Sequence, residues 1–328
     1  MHRSGQSTPV STSPIAVIGA GGFLGTFLAQ YMTRHGRDVR CFGRRQAFPD
    51  VLRGLHWTTG DIAHPDSEAL DAVLSGCDTV IHLASSSTPA NADKDIRADA
   101  QANVIGSLSL FERCVAAGVR RVVFISSGGT VYGIPDVTPT PESAPTLPIT
   151  AYGVAKLAVE KYLEVYRRQR SLDYRVLRVS NAYGVFQTAE KRQGVVAAFL
   201  SNALSGDAVE IWGDGHVVRD YVYVEDVAEA IVAAMEHQGE HRVFNIGSGT
   251  GLSLNDVISV IEELLGRDLD KRYRTGRPVD VPVSVLDCGL AKSELGWHAH
   301  TGFRDGLRLT VEWMRRWYLP HAENMKIS

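Results

Sequence analysis

Apolar residues arrive along this chain in short runs that alternate with amphipathic stretches. Ile15-Ala-Val-Ile18 is followed at once by glycines, and Val39–Phe42, Leu55–Thr58, Thr79–Leu83, Arg121–Ile125 and Tyr174–Leu177 repeat the strand-like pattern. Between them Phe23–His35, Ser67–Leu74, Asp99–Ala117 and Tyr152–Arg170 carry apolar residues at helical spacing. Strands that are apolar throughout, separated by helices, predict an α/β fold: a Rossmann-like, doubly wound parallel sheet with helices on both faces. After about residue 180 the pattern loosens. Helices are expected at Gln193–Leu204, Leu254–Leu265 and Thr301–Trp317, and short strands at Glu210–Trp212 and Val243–Ile246, with Gly-, Pro- and Asp-rich loops between. The expected organisation is a disordered leader over 1–14, a Rossmann domain over 15–180, and a smaller C-terminal lobe over 181–328 interleaved with the end of the sheet.

Composition narrows the function classes. With 328 residues and 44% hydrophobic side chains the chain can bury a sizeable core. Lys and Arg number 34 against 37 Asp and Glu, so no basic excess points to nucleic acid, and no polybasic cluster marks a membrane surface. No apolar run reaches the roughly 18 residues of a membrane span. Cys41, Cys77, Cys114 and Cys288 are scattered without metal-ligand or disulfide spacing, so no metal is expected and reduced, buried thiols are. The leader is rich in Ser, Thr, Pro and Gly and lacks an apolar signal segment, and a cytoplasmic protein is expected.

The first candidate chemistry lies in Gly19-Ala-Gly-Gly-Phe-Leu-Gly25, between a strand and a helix. Glycines at 19, 22 and 25 let backbone N–H groups approach a pyrophosphate, with Phe23 and Leu24 opening the helix whose N-terminus favours the negative charge. About 20 residues on, where a carboxylate would bind the ribose 2′-OH of NAD, the chain reads Cys41-Phe-Gly-Arg-Arg45. Arg44 and Arg45 could meet the 2′-phosphate of NADP, or stack on adenine with NAD bound; the reading taken is NAD, with NADP as the alternative. Asp61 and Ile62 end a later strand and can flank adenine, and the backbone at Leu83 and Ala84 can pass the pyrophosphate. His82 reads as a packed histidine.

The second candidate is a pair. Tyr152 and Lys156 share one helix face, and Ser127 and Thr130 lie in the loop after the preceding strand. An ammonium and a nicotinamide cation beside a phenol would pull its pKa down toward the range of a general base, while Ser127 or Thr130 steadies the substrate oxygen.

These residues resemble the extended short-chain dehydrogenase/reductase family, as do Leu177-Arg-Val-Ser-Asn-Ala-Tyr-Gly184, Arg219-Asp-Tyr-Val-Tyr-Val-Glu-Asp226 and Phe244-Asn-Ile-Gly247. Within it the chain is most similar to the nucleotide-sugar epimerases and dehydratases, the UDP-glucose 4-epimerase branch above all. The resemblance implies an isomerase that works on UDP-hexoses through a transient 4-keto sugar. It implies that Asn181, Arg219 and Arg277 bind the nucleotide diphosphate, that Trp212 packs near uracil, and that Asn103 supplies a cofactor-site amide. Ser284 stands where epimerases restricted to plain hexoses carry a bulky aromatic, which implies room for an N-acetyl group and hence UDP-GlcNAc and UDP-GalNAc as substrates. Gly128 replaces a serine usual in the epimerases. The loop Gly128-Gly-Thr130 lacks the carboxylates that dehydratases place there, which disfavours elimination. The helices Asp99–Ala117 and Tyr152–Arg170 match the family's dimer elements, so a homodimer is expected. An NADPH-dependent reductase of 4-keto nucleotide sugars is the rival enzyme, and a non-catalytic NAD(P) sensor the rival of another class.

Overall fold

A computed structural model describes residues 13–63, 67–89, 91–188, 194–276 and 281–318. Its strands are β1 (Ile15–Ile18), β2 (Val39–Gly43), β3 (His56–Thr59), β4 (Thr79–His82), β5 (Arg121–Ser127), β6 (Asp173–Val179), β7 (Asn181–Tyr183), β8 (Val209–Trp212), β9 (Val218–Tyr223), β10 (Val243–Ile246), β11 (Gly251–Ser253), β12 (Lys271–Arg274) and β13 (Val283–Ser284). The α-helices are α1 (Phe23–Arg34), α2 (Ser67–Leu74), α3 (Ile96–Asp99), α4 (Gly106–Ala116), α5 (Ala151–Arg170), α6 (Val195–Ser205), α7 (Val224–Glu236), α8 (Leu254–Leu265) and α9 (Phe303–Trp313).

Seven strands form one sheet in the order β10-β6-β5-β4-β1-β2-β3, and every pair in it is parallel. The order reverses between β1 and β4, which opens a crevice at the carboxyl ends of these strands. Side chains of β1 alternate between two cores: Ile15 and Val17 pack with Leu28 of α1 and Ile231 of α7, whereas Ala16 and Ile18 pack with Leu70 of α2 and Leu110 of α4. Burial on both faces is why β1 reads as an unbroken apolar run. β10 and α7 return from the later chain to complete this sheet and its helical layer.

The later chain adds two small sheets, β11-β9-β13 with β7 on β9, and β12-β8, around a third core that includes Phe199, Tyr221 and Ile261. Most of these strands have four residues or fewer and no clear period-two pattern, so the sequence reading missed β7, β9, β11, β12 and β13. It also read one helix over Asp99–Ala117; instead, a π-helical turn at Ala100–Ile105 separates α3 from α4 and carries Asn103. Among the described residues no helix is long and apolar enough to cross a membrane. Cys41, Cys77 and Cys114 are buried, Cys288 is half-buried, and all four are free.

Candidate active site

The crevice is a cavity of about 840 Å³, within the range of small-molecule sites. Its floor is the turn after β1. Gly19 has φ +95°, and a Cβ there would lie 2.7 Å from the backbone nitrogen of Ala84. Only glycine lets the β1 and β4 ends approach so closely. α1 begins at Gly22 with no side-chain cap and no acidic residue in its first turn, so its N-terminal N–H groups face the cavity without a side-chain partner. Gly22, Phe23, Leu24 and Gly25 line this end, with Leu83 and Ala84 opposite. Arg44, Arg45, Asp61 and Ile62 line the wall beyond β2 and β3. An open glycine cradle at an uncapped helix N-terminus, in a cavity this large, fits a dinucleotide pyrophosphate.

Tyr152, Lys156 and Asn181 line the same cavity. Thr150 caps α5 by accepting the Gly153 N–H at 3.2 Å, which starts the helix just before Tyr152. Lys156 is buried, donates to the carbonyl of Ile125 at 2.8 Å, and holds its Nζ 5.6 Å from the Tyr152 ring centroid. Burial brings the lysine down to about 8, against the opposing pull of Glu160 and Asp99. In the protein alone the phenol moves the other way: burial, reinforced by the Asp99 carboxylate, pushes Tyr152 up to about 12. Desolvation dominates the phenol there, so lowering this pKa requires further positive charge at the site.

One helix turn further on, Glu160 binds Arg178 through a buried two-pronged ion pair, closest approach 2.7 Å, and accepts from Ser126. Arg178 also donates to the hydroxyl of Tyr132 at 2.9 Å, and Tyr132 donates to Asn245 at 2.7 Å. Lys156 and Glu160 therefore bind consecutive residues of β5, and Arg178 ties the hydroxyl-bearing loop to them. Thr130 lies against the first turn of α5, and its hydroxyl is buried without a partner. Neither Thr130 nor Ser127 lines the cavity. Gly128 has a packing reason: a Cβ there would come within 2.5 Å of Leu286.

Asn103 lines the cavity, but its amide is fully engaged. It donates to Asp99 at 2.8 Å and Ser87 at 2.9 Å, and accepts the Ser86 N–H at 2.9 Å, holding the loop after β4. His82 is buried, as expected of a packed residue. Ser107 gives its proton to the Asn103 carbonyl, so His82 donates Nε2–H to Ser107 at 2.8 Å and leaves Nδ1 unpartnered.

On the other side the agreement is weaker. Trp212 is exposed on β8, away from the cavity lining. Arg219 and Ser284 are register partners on β9 and β13; Arg219 donates to the carbonyls of Val218 and Val281, Ser284 is buried, and neither lines the cavity. Arg277 lies outside the described residues. Two buried lining residues with unpartnered polar atoms went unnoticed in the sequence. Gln187 and Tyr221 are buried, and the Gln187 Oε1 and Tyr221 hydroxyl have no partner. Tyr221 was legible, since it shares a strand face with Arg219; Gln187 sits in a loop and carried no signal.

Residues 15–247 match the NAD dependent epimerase/dehydratase family, and the chain belongs to it. It is an enzyme of the extended short-chain dehydrogenase/reductase type, in a family that uses NAD. It is 34% identical to the UDP-glucose 4-epimerase of Mycolicibacterium smegmatis, over 91% of this chain and 97% of that one. The dTDP-4-dehydro-6-deoxyglucose reductase of Escherichia coli is 29% identical over 92% of this chain and 97% of its own length. The solved structure of UDP-glucose 4-epimerase with UDP-glucose from Thermotoga maritima superposes with a TM-score of 0.88 at 38% identity, covering 92% of this chain and 99% of that one.

Proposed function

We propose that this protein interconverts the C4 epimers of UDP-hexoses, UDP-GlcNAc and UDP-GalNAc among them, with NAD held in the same cavity. The observation that carries this reading is that Tyr152 and Lys156, on one face of α5, line the cavity floored by the Gly19–Gly25 cradle. When bound, NAD supplies reversible two-electron oxidation of the C4 carbinol to a ketone, and its cationic ring the further positive charge that Tyr152 needs. Tyr152 takes the C4 hydroxyl proton and returns it once the keto sugar has turned over in the pocket. Lys156, protonated below about pH 8, opposes the burial that keeps the phenol neutral. Of the two loop hydroxyls that could steady the C4 oxygen, Thr130 is the buried one without a partner, and Ser127 is the alternative.

Asn181, Gln187 and Tyr221 face the sugar and diphosphate in this reading, while Arg219, Arg277 and Trp212 are the residues assigned to the nucleotide. Asp61 is the one carboxylate among the described lining residues, and it sits past the edge strand β3, which speaks against elimination chemistry. Acceptance of an N-acetyl group rests on the resemblance at Ser284, a small residue held buried beside Arg219 and outside the cavity lining. The division near residue 180, the cytoplasmic location and the homodimer belong to the same proposal. Exposed Ile105 before α4, together with Val154, Tyr162 and Val165 on α5, supports the dimer.

The second reading, an NADPH-dependent reductase of 4-keto nucleotide sugars, is favoured by Arg44 and Arg45. One assay separates the two. UDP-GlcNAc and, in parallel, UDP-glucose are incubated with the protein and no added reductant. The expected result is UDP-GalNAc and UDP-galactose with no net change in nicotinamide absorbance. Turnover of UDP-glucose alone would remove the N-acetyl assignment, and no product from either sugar would remove the epimerase.

A further inference from the structure

We propose that an aromatic box of Phe27, Phe48 and Trp313 positions Gln187 by locking Phe186 in a left-handed turn, and so sets the affinity for the hexose. This rests on the reading that Gln187 faces the sugar and goes beyond it, since none of the four rings lines the cavity. Among the described non-glycine residues only Ser171 and Phe186 have positive φ, at +57° and +70°. Ser171 is the C-cap of α5, where a left-handed residue commonly ends a helix. Phe186 ends no helix. It is the third residue of a turn in which the Gln187 N–H donates to the Gly184 carbonyl at 3.3 Å, and a positive φ there but not at Val185 makes the turn type II. That position favours glycine, and a bulky side chain occupies it only where its surroundings over-determine the backbone.

The surroundings do so from three separate segments. The Phe186 ring is buried and lies 5.1 Å from Phe48 in the chain beyond β2, 5.5 Å from Trp313 of α9 and 6.4 Å from Phe27 of α1. Phe48 and Trp313 also meet each other, edge to face at 5.9 Å. Tilted and edge-on contacts at such distances are the favourable ones for aromatic rings. Next to the locked turn the Gln187 amide is held from two sides. Its Nε2 donates to the Ala182 carbonyl at 3.2 Å, and a Cβ at Gly194 would collide with it. With the NH₂ committed, Oε1 is the atom left for a ligand, buried in the cavity lining and without a partner. An acceptor needs a donor. The ionised diphosphate offers only acceptors, so the partner is a hydroxyl or amide N–H of the hexose. A ring that merely filled a core would not need a left-handed backbone one residue before that amide.

The test is calorimetric binding of UDP-glucose and of UDP to the full chain, with NADH present so that the sugar is not turned over. The parent is compared with Trp313→Leu, Trp313→Phe and Phe186→Gly. Glycine adopts the turn freely, so Phe186→Gly removes only the anchor. Trp313→Leu and Phe186→Gly should each weaken UDP-glucose by about threefold to tenfold, the weight of one neutral hydrogen bond, and leave UDP unchanged. Trp313→Phe, which keeps a ring in the box, should recover most of the loss. Adding Trp313→Leu to Phe186→Gly should cost nothing further, because both act through the one turn. In turnover the same loss should fall on KM, with kcat retained. UDP and UDP-glucose weakened alike, neither weakened, or fully additive losses in the double variant would overturn the proposal and leave the sugar site standing. A parent that binds the two ligands equally would remove the contact of Gln187 with the hexose and the proposal with it. A parent that binds neither would overturn the nucleotide-sugar reading itself. Should a melting curve show Trp313→Leu unfolded, Phe186→Gly carries the same test alone.

Discussion

At the glycine cradle, the groups that shape the cavity come from one strand, one turn and one helix, and their neighbours are adjacent strands of a single sheet. Around β9 the construction is different. Asp220, wholly buried, accepts from Ser248 N–H at 2.7 Å, Ser248 hydroxyl at 2.8 Å, Gly249 N–H at 3.2 Å and Leu286 N–H at 3.3 Å. One carboxylate thus collects the turn after β10 and the residues beyond β13, segments far apart in sequence. The first region is organised by backbone geometry that glycine permits, the second by a polar hub that satisfies stranded N–H groups. A motif can encode the first because its parts are contiguous. The second exists only once distant chain segments have met.

If that contrast holds, a change at the cavity should cost chemistry and a change at the hub should cost stability. Tyr152→Phe carries the largest expected effect: turnover down by at least about 10²–10⁴-fold, with thermal stability and NADH binding retained, measured by steady-state kinetics, a melting curve and fluorescence titration. A melting loss as large as the kinetic one would erase the distinction between the two regions. Asp220→Asn comes next. The shape is kept, but an amide NH₂ must then face backbone N–H donors, and we expect a loss of about 3 kcal/mol in denaturant unfolding. A variant as stable as the parent would show that the hub is not what holds the lobe together.

Within one pH unit below 6.5 the smallest effect belongs to the packed histidine below the cavity. Burial, aided by Lys156, depresses His82 from its ordinary 6.5 to about 3. The unfolded chain therefore binds a proton in that interval that the folded one refuses. The contribution is complete above pH 6.5 and is lost as the pH falls, at about 1.4 kcal/mol per unit. Unfolding free energies of the parent and His82→Leu across this range should diverge in slope. Parallel slopes would mean that His82 takes up its proton in the fold.

The same contrast explains what was legible beforehand. Gly19, Gly22 and Gly25, and the Tyr152–Lys156 pair, were read from spacing alone, because helix and strand periods place them with no knowledge of the rest. Asn103 was read as a cofactor-site amide, but the loop after β4 and Asp99 take up its hydrogen bonds. Ser127 and Thr130 follow from their place in the loop after the preceding strand, Arg219, Trp212 and Ser284 from resemblance, and the cavity lining includes none of the five. Asp99, which shares the electrostatics of Tyr152 and Lys156, lay one helical turn before Asn103 and carried no motif of its own. The rise of the Tyr152 pKa in the protein alone was illegible for a related reason: charges can be counted along a sequence, whereas desolvation depends on what closes over the group.

Hydrophobic periodicity alone determined that this chain folds as a doubly wound sheet with a glycine turn after its first strand, because those patterns repeat over distances shorter than an element. Only the tertiary structure decided which polar atoms remain unpartnered in the cavity, which carboxylate gathers the second lobe, and how far burial raises Tyr152. Each depends on groups from separate segments excluding water from one another, and that free energy is set by three-dimensional proximity, which residue order does not carry.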